Sequence, residues 1–185
     1  MQLDSLLRQF ASAFTQSNRL LTVQFADAGF KPDQLLPHIL RGGNAVSALY
    51  RYELDCLSSN AFLELKDLIG QPIQVGILDP EGGERVITGV VTATESLGSD
   101  GGFSVYRLVI EPAIALLTHR RASRVFQDQS VPEIVKALLD EHSAANPLFA
   151  STFKLDLQLT ETYPARSYCL QYRESDLAFI TRLLR

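Results

Sequence analysis

Residues able to do metal or acid–base chemistry are few in this chain and widely separated. The three histidines are His38, His119 and His142, and none has a cysteine or carboxylate at the spacing of a zinc motif. Histidines scattered in this way are typical of structural or solvent-facing positions. We therefore predict no metal site, and no motif in the chain predicts a cofactor.

The sequence also lacks a motif for nucleophilic catalysis. Cys56 and Cys169 are the only cysteines, and there is no Gly-x-Ser-x-Gly elbow. The glycine-rich stretch Gly98–Gly102 lacks the Gly-Lys-Ser/Thr ending of a phosphate-binding loop and lies between two predicted strands, so it predicts a hairpin turn. We predict no catalytic residue and two free, buried thiols, as is usual for a protein made in the cytosol.

Carboxylates offer one enzymatic alternative. A glycan hydrolase uses a pair of carboxylates, and Glu161, Glu174 and Asp176 are candidates for such a pair. Glu174 and Asp176, however, stand where the last predicted helix begins, and carboxylates are common there as caps and as partners of the helix dipole. We favour capping, so the hydrolase remains a distant alternative.

Charge and composition exclude two further classes of function. The 185 residues carry a net charge of -4, which gives no general attraction to nucleic acid. A cluster of basic residues follows a short predicted helix. Its positive charge would complement the helix dipole at the C-terminal end of that helix. Its members are His119, Arg120, Arg121 and Arg124. No stretch is long and apolar enough to span a membrane, and the N-terminus lacks the unbroken apolar core of a secretory signal.

The stretch Gln71–Pro112 predicts three consecutive strands joined by tight turns. Gln71–Leu78 is an apolar run that ends at the turn-forming residues Asp79–Gly83. Arg85–Thr94 is rich in β-branched residues, and Phe103–Glu111 returns after the glycine-rich turn. Because no helix separates these strands, we predict an antiparallel meander in a β-barrel whose edges close or find partners.

Hydrophobic spacing predicts the other elements of the first half. Residues up to Thr15 predict an amphipathic helix, which packs on its own barrel or on a partner chain. Leu20–Phe25 predicts a strand, the following stretch with Gly29, Pro32 and Pro37 predicts a loop, and residues 62–70 predict one or two helical turns. Ser47–Leu57 alternates most clearly. Its predicted core face is Ala48, Tyr50, Tyr52, Leu54 and Cys56, and its face toward water or a partner is Arg51, Glu53 and Asp55.

After Pro112 the pattern changes to mixed helices and strands. The best-marked helix is Val131–His142, because Ser130 and Glu133 form a capping box. Its predicted apolar face is Val131, Ile134, Val135, Leu138 and Leu139. The other predicted elements are a helix at Ala113–Leu117, an extended piece at Arg124–Gln129, strands at Phe153–Leu159 and Tyr168–Arg173, and a last helix capped by Ser175 with Leu177, Ile180 and Leu184 along one side.

Two domains follow from this change of pattern. Residues 1–112 predict a β-barrel domain with an N-terminal helix, and residues 113–185 predict a smaller mixed α/β domain. Because Arg185 falls inside a predicted helix without a stop signal, we expect the second domain to be incomplete at its C-terminal end.

Several segments, in a fixed order, carry a family resemblance. They are Leu49–Ser58, Leu68–Ile73, Gly89–Val91, Tyr106–Pro112, Ser123–Ile134 and Leu170–Leu184. Together they resemble the N-terminal, phage tail hub-like region of VgrG, the spike protein of bacterial type VI secretion systems. The resemblance runs from about Leu20 to the last residue and departs at Ala113, where members of the family often carry tryptophan.

This resemblance implies a fold and a function. The implied fold is an antiparallel β-barrel followed by a connecting domain, as in the hubs of contractile phage tails. The implied function is structural: the base of a homotrimeric puncturing device, made in the bacterial cytoplasm without a signal peptide, docked on the tube of Hcp subunits and secreted with effector or adaptor proteins. The alternative it leaves open is a tail hub or baseplate protein of a contractile phage or related particle.

Overall fold

The computed structural model of the protein describes residues 15–16, 19–26, 33–99 and 102–185. The chain divides into two compact units, Met1–Pro112 and Ala113–Arg185. Within the described ranges, no helix has the length and apolar character needed to cross a membrane. The helix predicted near the N-terminus falls on residues 1–14, which lie outside the described residues, and it stays a prediction.

The first unit is built on one antiparallel sheet of six strands in the order β1-β4-β5-β6-β3-β2. Its strands are β1 Leu21–Phe25, β2 Leu36–Gly43, β3 Arg51–Ser58, β4 Pro72–Leu78, β5 Glu84–Ser99 and β6 Ser104–Glu111. Strands β4, β5 and β6 are sequential neighbours in antiparallel pairing, which confirms the meander predicted from the sequence. The predicted β1 strand is confirmed as well.

The turn between β4 and β5 forms where turn residues cluster in the sequence. The Gly83 amide donates to the Asp79 side chain at 2.6 Å, and the Asp79 amide donates to the Gly83 carbonyl at 2.9 Å. Gly82 has a φ of 85°, in the left-handed region that glycine adopts without strain. The local sequence therefore fixes the hairpin by itself.

Strand β5 lets this sheet curl into a half-barrel. Residues 84–90 of β5 pair with β4, and residues 90–99 pair with β6. A bulge between Val91 and Ala93 lies close to the point at which β5 changes from one neighbour to the other. A Cβ atom on Gly89 would lie 2.7 Å from the Glu111 carbonyl oxygen and 2.8 Å from Ile110 Cγ2, so only glycine allows this approach. The edge strands β1 and β2 in turn have Cα atoms within 8 Å of each other. The predicted barrel-like antiparallel architecture is confirmed.

The concave face of the sheet holds the core of the first unit. Tyr52, Leu54 and Cys56 on β3 are buried there, as their alternation predicted. Strand β3 begins only at Arg51, however, because residues 44–50 form the connection from β2, so the prediction for Ala48 was wrong: it is exposed. Asp55 lies on the face opposite the core, as predicted, but only 4% of its surface meets solvent, because two arginine side chains cover it.

Strand β2 was missed in the sequence, where Pro37 suggested a loop. The strand lies at the edge of the sheet, and its register shifts between Pro37 and Ile39. Edge strands and bulges are the positions at which a sheet tolerates proline, because the missing amide leaves no central hydrogen bond unmade. The prediction of helical turns at residues 62–70 is borne out only by the short 3-10 helix Leu65–Asp67.

The second unit combines short helices with a two-stranded antiparallel ribbon. Its elements are a 3-10 helix Ala113–His119, β7 Arg121–Phe126, α1 Val131–Ala145, α2 Pro147–Thr152, β8 Cys169–Ser175 and α3 Asp176–Leu183. The predicted capping box at Ser130 and Glu133 is present. The Ala178 amide donates to the Ser175 hydroxyl at 3.2 Å, so Ser175 caps α3 as predicted.

Three predictions for the second unit were wrong in part. Residues 153–159 form no regular strand, because no described strand lies beside them to pair with their backbone. The extended segment predicted at Arg124–Gln129 begins and ends three residues earlier, as the strand β7 at Arg121–Phe126. Helix α3 buries Phe179, Ile180 and Leu183, whereas Leu184 is 68% exposed. Phe126 of β7 fixes this rotation, since its ring stacks on that of Phe179 at 5.6 Å.

The close approach at Gly89 gives a testable prediction. Gly89→Ala should lower the free energy of unfolding by about 2 kcal/mol, because the new methyl group overlaps the Glu111 carbonyl oxygen, a backbone atom that cannot move aside easily. Urea unfolding followed by circular dichroism measures the change. Gly43→Ala is the matched control on β2, since no atom lies within 4 Å of its added Cβ. Equal unfolding midpoints for the two variants would contradict this account of the bend.

Candidate functional site

The three histidines do not come together in the structure. His38 on β2 and His119 at the end of a 3-10 helix are exposed, whereas His142 on α1 places Nε2 2.8 Å from Asp176 Oδ2. Among the described residues, no group of three or more histidine, cysteine, aspartate or glutamate side chains could hold a metal ion. The contact between His142 and Asp176 instead belongs to a buried polar network.

Asp176 is the centre of this network, which we call the Asp176 network. The residue opens helix α3, and its side chain is fully buried. Gln171 Nε2 donates to Asp176 Oδ1 at 2.6 Å, and Arg124 Nη2 lies 3.3 Å from the same oxygen. Arg120 donates through Nε to Oδ2, which His142 also contacts. Five segments of the second unit therefore meet at one carboxylate.

Glu141 completes the network at its solvent side. Its Oε2 atom accepts hydrogen bonds from Arg120 Nη2 at 3.0 Å and from Arg124 Nη1 at 2.8 Å. Two arginines thus face two carboxylates. The sequence had assigned Arg120 and Arg124 to a helix end; they bind these carboxylates instead, while His119 and Arg121 remain exposed.

The network keeps its carboxylates ionised. Burial disfavours the charge on Asp176, but hydrogen bonds from Gln171, Arg120 and His142 outweigh it and lower the pKa of Asp176. Partial burial likewise opposes the charge on Glu141, whose pKa is nevertheless lowered by the hydrogen bonds and charges of Arg124 and Arg120. An aspartate that is ionised at neutral pH and fully hydrogen-bonded suits a structural connection between elements.

The carboxylates proposed for a glycan hydrolase have a different arrangement from that of a catalytic pair. Glu174 accepts a hydrogen bond from Arg182 Nη2 at 2.6 Å, and this bond lowers the pKa of Glu174. Glu161 lies exposed in an irregular segment. A general acid needs a raised pKa, whereas Glu174 and Asp176 both have lowered ones. Their environments favour permanent ion pairing over proton transfer.

A second buried aspartate lies on the convex face of the first unit. Asp55 on β3 accepts from Arg41 Nη1 of β2 at 2.6 Å and from Arg107 Nε of β6 at 2.7 Å. The hydrogen bond from Arg107 is the largest cause of the lowered pKa of Asp55. The two arginine side chains cover the carboxylate, which explains why a residue on the outer face is buried. Three adjacent strands are tied together on this face.

Strand edges are the other feature of the first unit that bears on function. Among the described residues, β1 pairs only with β4 and β2 pairs only with β3, so each presents one edge without a strand partner. In the second unit, Arg182 Nη2 donates to the Leu170 carbonyl at 3.0 Å and so covers part of the edge of β8. The edge of β1 is also partly covered, since the Val23 amide donates to Gln16 Oε1 at 2.6 Å, and the rest of such an edge is a surface on which a neighbouring chain can add a strand.

Comparison with known proteins identifies the class of protein that this fold defines. The family described as phage tail baseplate hub (GPD) matches residues 44–185, and the chain belongs to this family. Within it, the chain is similar to type VI secretion system spike proteins of Pseudomonas aeruginosa. VgrG1a is 35% identical over 169 residues, which are 91% of this chain and 25% of VgrG1a. VgrG1c is 32% identical over 176 residues, which are 95% of this chain and 23% of VgrG1c.

Solved structures of similar proteins share the fold of this chain. The E. coli c3393 protein is a type VI secretion component with structural similarity to the T4 bacteriophage tail proteins gp27 and gp5. It matches with a TM-score of 0.70 and 26% identity over 88% of this chain and 42% of its own. A Francisella PdpA–VgrG complex shares the fold, with a TM-score of 0.57, 14% identity and coverage of 100% of this chain and 31% of that one. The resemblance to the hub-like region of VgrG is confirmed, and the chain spans about a quarter of the length of its curated relatives.

The Asp176 network predicts a pH-dependent loss of stability. Asp176→Asn should lower the free energy of unfolding at pH 7 by about 3 kcal/mol, because it removes the charge that two buried arginine contacts need. The pKa of Asp176 is below its unfolded value of about 3.9, so its stabilisation is present above that pH and is lost as the pH falls through the folded pKa. The difference between wild type and variant should therefore shrink below about pH 4.

Urea unfolding at a series of pH values measures this difference. Asp140→Asn is the matched control, since Asp140 pairs with Lys136 on the exposed surface of α1 and should contribute less than about 1 kcal/mol. A difference between wild type and Asp176→Asn that stays constant from pH 7 to pH 3 would show that the charge of Asp176 is not what stabilises the unit.

Proposed function

We propose that this chain is a non-enzymatic, structural part of a type VI secretion spike, at the base of the trimeric puncturing device that docks on the Hcp tube. One observation carries the proposal: 91% of the chain aligns with a VgrG spike protein at 35% identity. The match to the fold of a type VI component supports it independently. The two compact units would then be the first barrel and the connecting domain of the hub.

The geometry suits a part that transmits force and holds neighbours in place. The first unit is a curled sheet whose convex face is tied across three strands by Asp55 and its arginines. Edge strands β1 and β2 each pair with a single strand among the described residues. In an assembly, sister chains would complete such edges, because an unpaired strand edge offers ready donors and acceptors.

The proposed function also includes the partners of the protein and its location. The protein would be assembled in the bacterial cytoplasm, would carry effector or adaptor proteins, and would leave the cell through the type VI machinery. A Francisella chain of the same fold belongs to a PdpA–VgrG complex, which fits a scaffold that binds other proteins. No chemical step is assigned to any residue, since the buried carboxylates are held in ion pairs.

A second candidate function is the tail hub of a contractile phage or a related injection particle. The family itself is described as a phage tail baseplate hub. The c3393 protein likewise shows structural similarity to T4 tail proteins. The two candidates share one architecture and differ in the tube on which the hub sits.

Binding to tubes tests the proposal and separates the two candidates. The purified protein should cosediment with assembled Hcp tubes and should not cosediment with a phage tail tube of similar diameter. Light scattering on the same purified protein, without tubes, should give a mass above the 20.5 kDa of the single chain. A strictly monomeric protein without affinity for Hcp would refute the spike assignment, and selective binding to the phage tube would favour the tail hub.

A further inference from the structure

The outer face of the two-stranded ribbon in the second unit is apolar and uncovered. Val125 on β7 lies opposite Leu170 on β8, and Tyr168 and Tyr172 flank Leu170 on the same side. These four side chains are 40% to 62% exposed, whereas Cys169 and Gln171, which point the other way, are buried. Tyrosine and leucine grouped on one flat face are typical of the centre of a protein interface.

Arginines without acidic partners surround this face. Arg121 begins β7, Arg173 stacks on Tyr172 with its Cζ atom 5.4 Å from the ring centroid, and Arg166 extends the ribbon through its bridge to Gln129. Within the part of the chain that the structure describes, no carboxylate lies within 4.0 Å of these three guanidinium groups. The neighbouring Arg120, Arg124 and Arg182, by contrast, are all paired.

Because one sign of charge collects around an apolar face, the face favours a partner surface that is apolar and acidic. It also disfavours a second copy of itself, since two identical faces in contact would bring arginine against arginine. A contact between copies of this chain must therefore use a different surface on the second copy.

The β4–β5 hairpin of the first unit has the complementary composition. Asp79, Glu81 and Glu84 are exposed, and no basic group of the described residues lies within 4.0 Å of their carboxylates. Next to them on the outer side of the sheet lie Leu20, Leu78 and Val86, which are 47% to 68% exposed. The Leu78 amide donates to the Leu20 carbonyl at 2.8 Å, so these apolar residues belong to adjacent strands.

Arg85 does not cancel the acidic charge on this side of the hairpin. It pairs with Ile77 in the strand register and extends toward Tyr52, with Nη2 3.5 Å from the Tyr52 hydroxyl. Since alternate residues of a strand point to opposite faces, Glu84 and Val86 share the outer face, while Arg85 belongs to the inner one.

We infer that the β4–β5 hairpin of one copy docks on the outer face of the β7–β8 ribbon of another copy. Leu78 and Val86 pack against Tyr168, Leu170 and Tyr172, and the hairpin carboxylates face the arginines that rim the ribbon. The contact is head-to-tail, the type of contact that gives a ring of identical chains when its rotation closes. The inference rests on the proposed function, because it locates the self-association that a trimeric spike base requires.

Charge reversal tests the contact directly. Arg166→Glu with Arg173→Glu on the ribbon should weaken self-association at least tenfold in sedimentation equilibrium, and Glu81→Arg with Glu84→Arg on the hairpin should do the same. An equimolar mixture of the two double variants should regain pairwise association, because each supplies the surface that the other has reversed, while a ring of three keeps one mismatched contact. Lys154→Glu is the control, since it reverses an exposed positive charge of the second unit outside the ribbon. Circular dichroism confirms that each variant is folded.

The outcomes are distinct. Recovery in the mixture, together with weaker association of the wild type at high salt, supports the docking mode. A mixture as dissociated as its components, a Lys154→Glu effect equal to that of the ribbon variant, or a wild type that is monomeric at every concentration overturns it. Hcp tube binding is measured on the same proteins: if it persists while the mixture fails to associate, this contact is wrong and the proposed function stands.

Discussion

The close approach of β5 to the end of β6 is the constraint on which the first unit depends. At Gly89 the backbone of β5 passes so near the Glu111 carbonyl that a methyl group would not fit. Because of this approach and the bulge that follows, one strand can pair with β4 along its first half and with β6 along its second half. The sheet therefore turns a corner without breaking its hydrogen-bond ladder, and its core residues converge on one concave face.

Both units use the same ionic device to hold their elements together. In each, an aspartate that is nearly or fully buried accepts hydrogen bonds from two arginines on other segments: Asp55 from Arg41 and Arg107, and Asp176 from Arg120 and Arg124. A buried ion pair adds little net stability compared with apolar packing, but breaking one is costly. Its contribution here is to specify which strands and helices lie side by side, and the lowered pKa values of both aspartates show that these contacts favour the ionised form.

Much of the fold follows from local sequence, because its signals are local. The turn at Asp79–Gly83, the capping box at Ser130 and the alternation on β3 each depend on residues a few positions apart. The errors arose where distant residues decide the outcome. Strand β2 is tolerated around Pro37 because of its position at the sheet edge, and residues 153–159 alternate like a strand but have no strand beside them.

The buried polar networks were the part of the structure least predictable from the sequence, because they too depend on contacts between distant residues. Asp176 meets Arg120 across 56 residues of sequence, and Asp55 meets Arg107 across 52. Composition and spacing show that such side chains exist, but only the register of β3 with β6, and of β7 with β8, brings them together. No sequence signal indicated the burial of Asp55, since its alternation with Arg51 and Glu53 on β3 is that of a solvent-facing strand face.

The two thiols carry a consequence for the passage from a reducing to an oxidising compartment that the proposed function includes. Cys56 and Cys169 are both unpaired and buried, and burial raises the pKa of the Cys56 thiol far above its usual range. Oxidants and disulfide exchange act on thiolates that solvent can reach, and both cysteine side chains are buried in the folded protein. The two buried thiols of this chain should therefore stay in the same covalent state in either compartment.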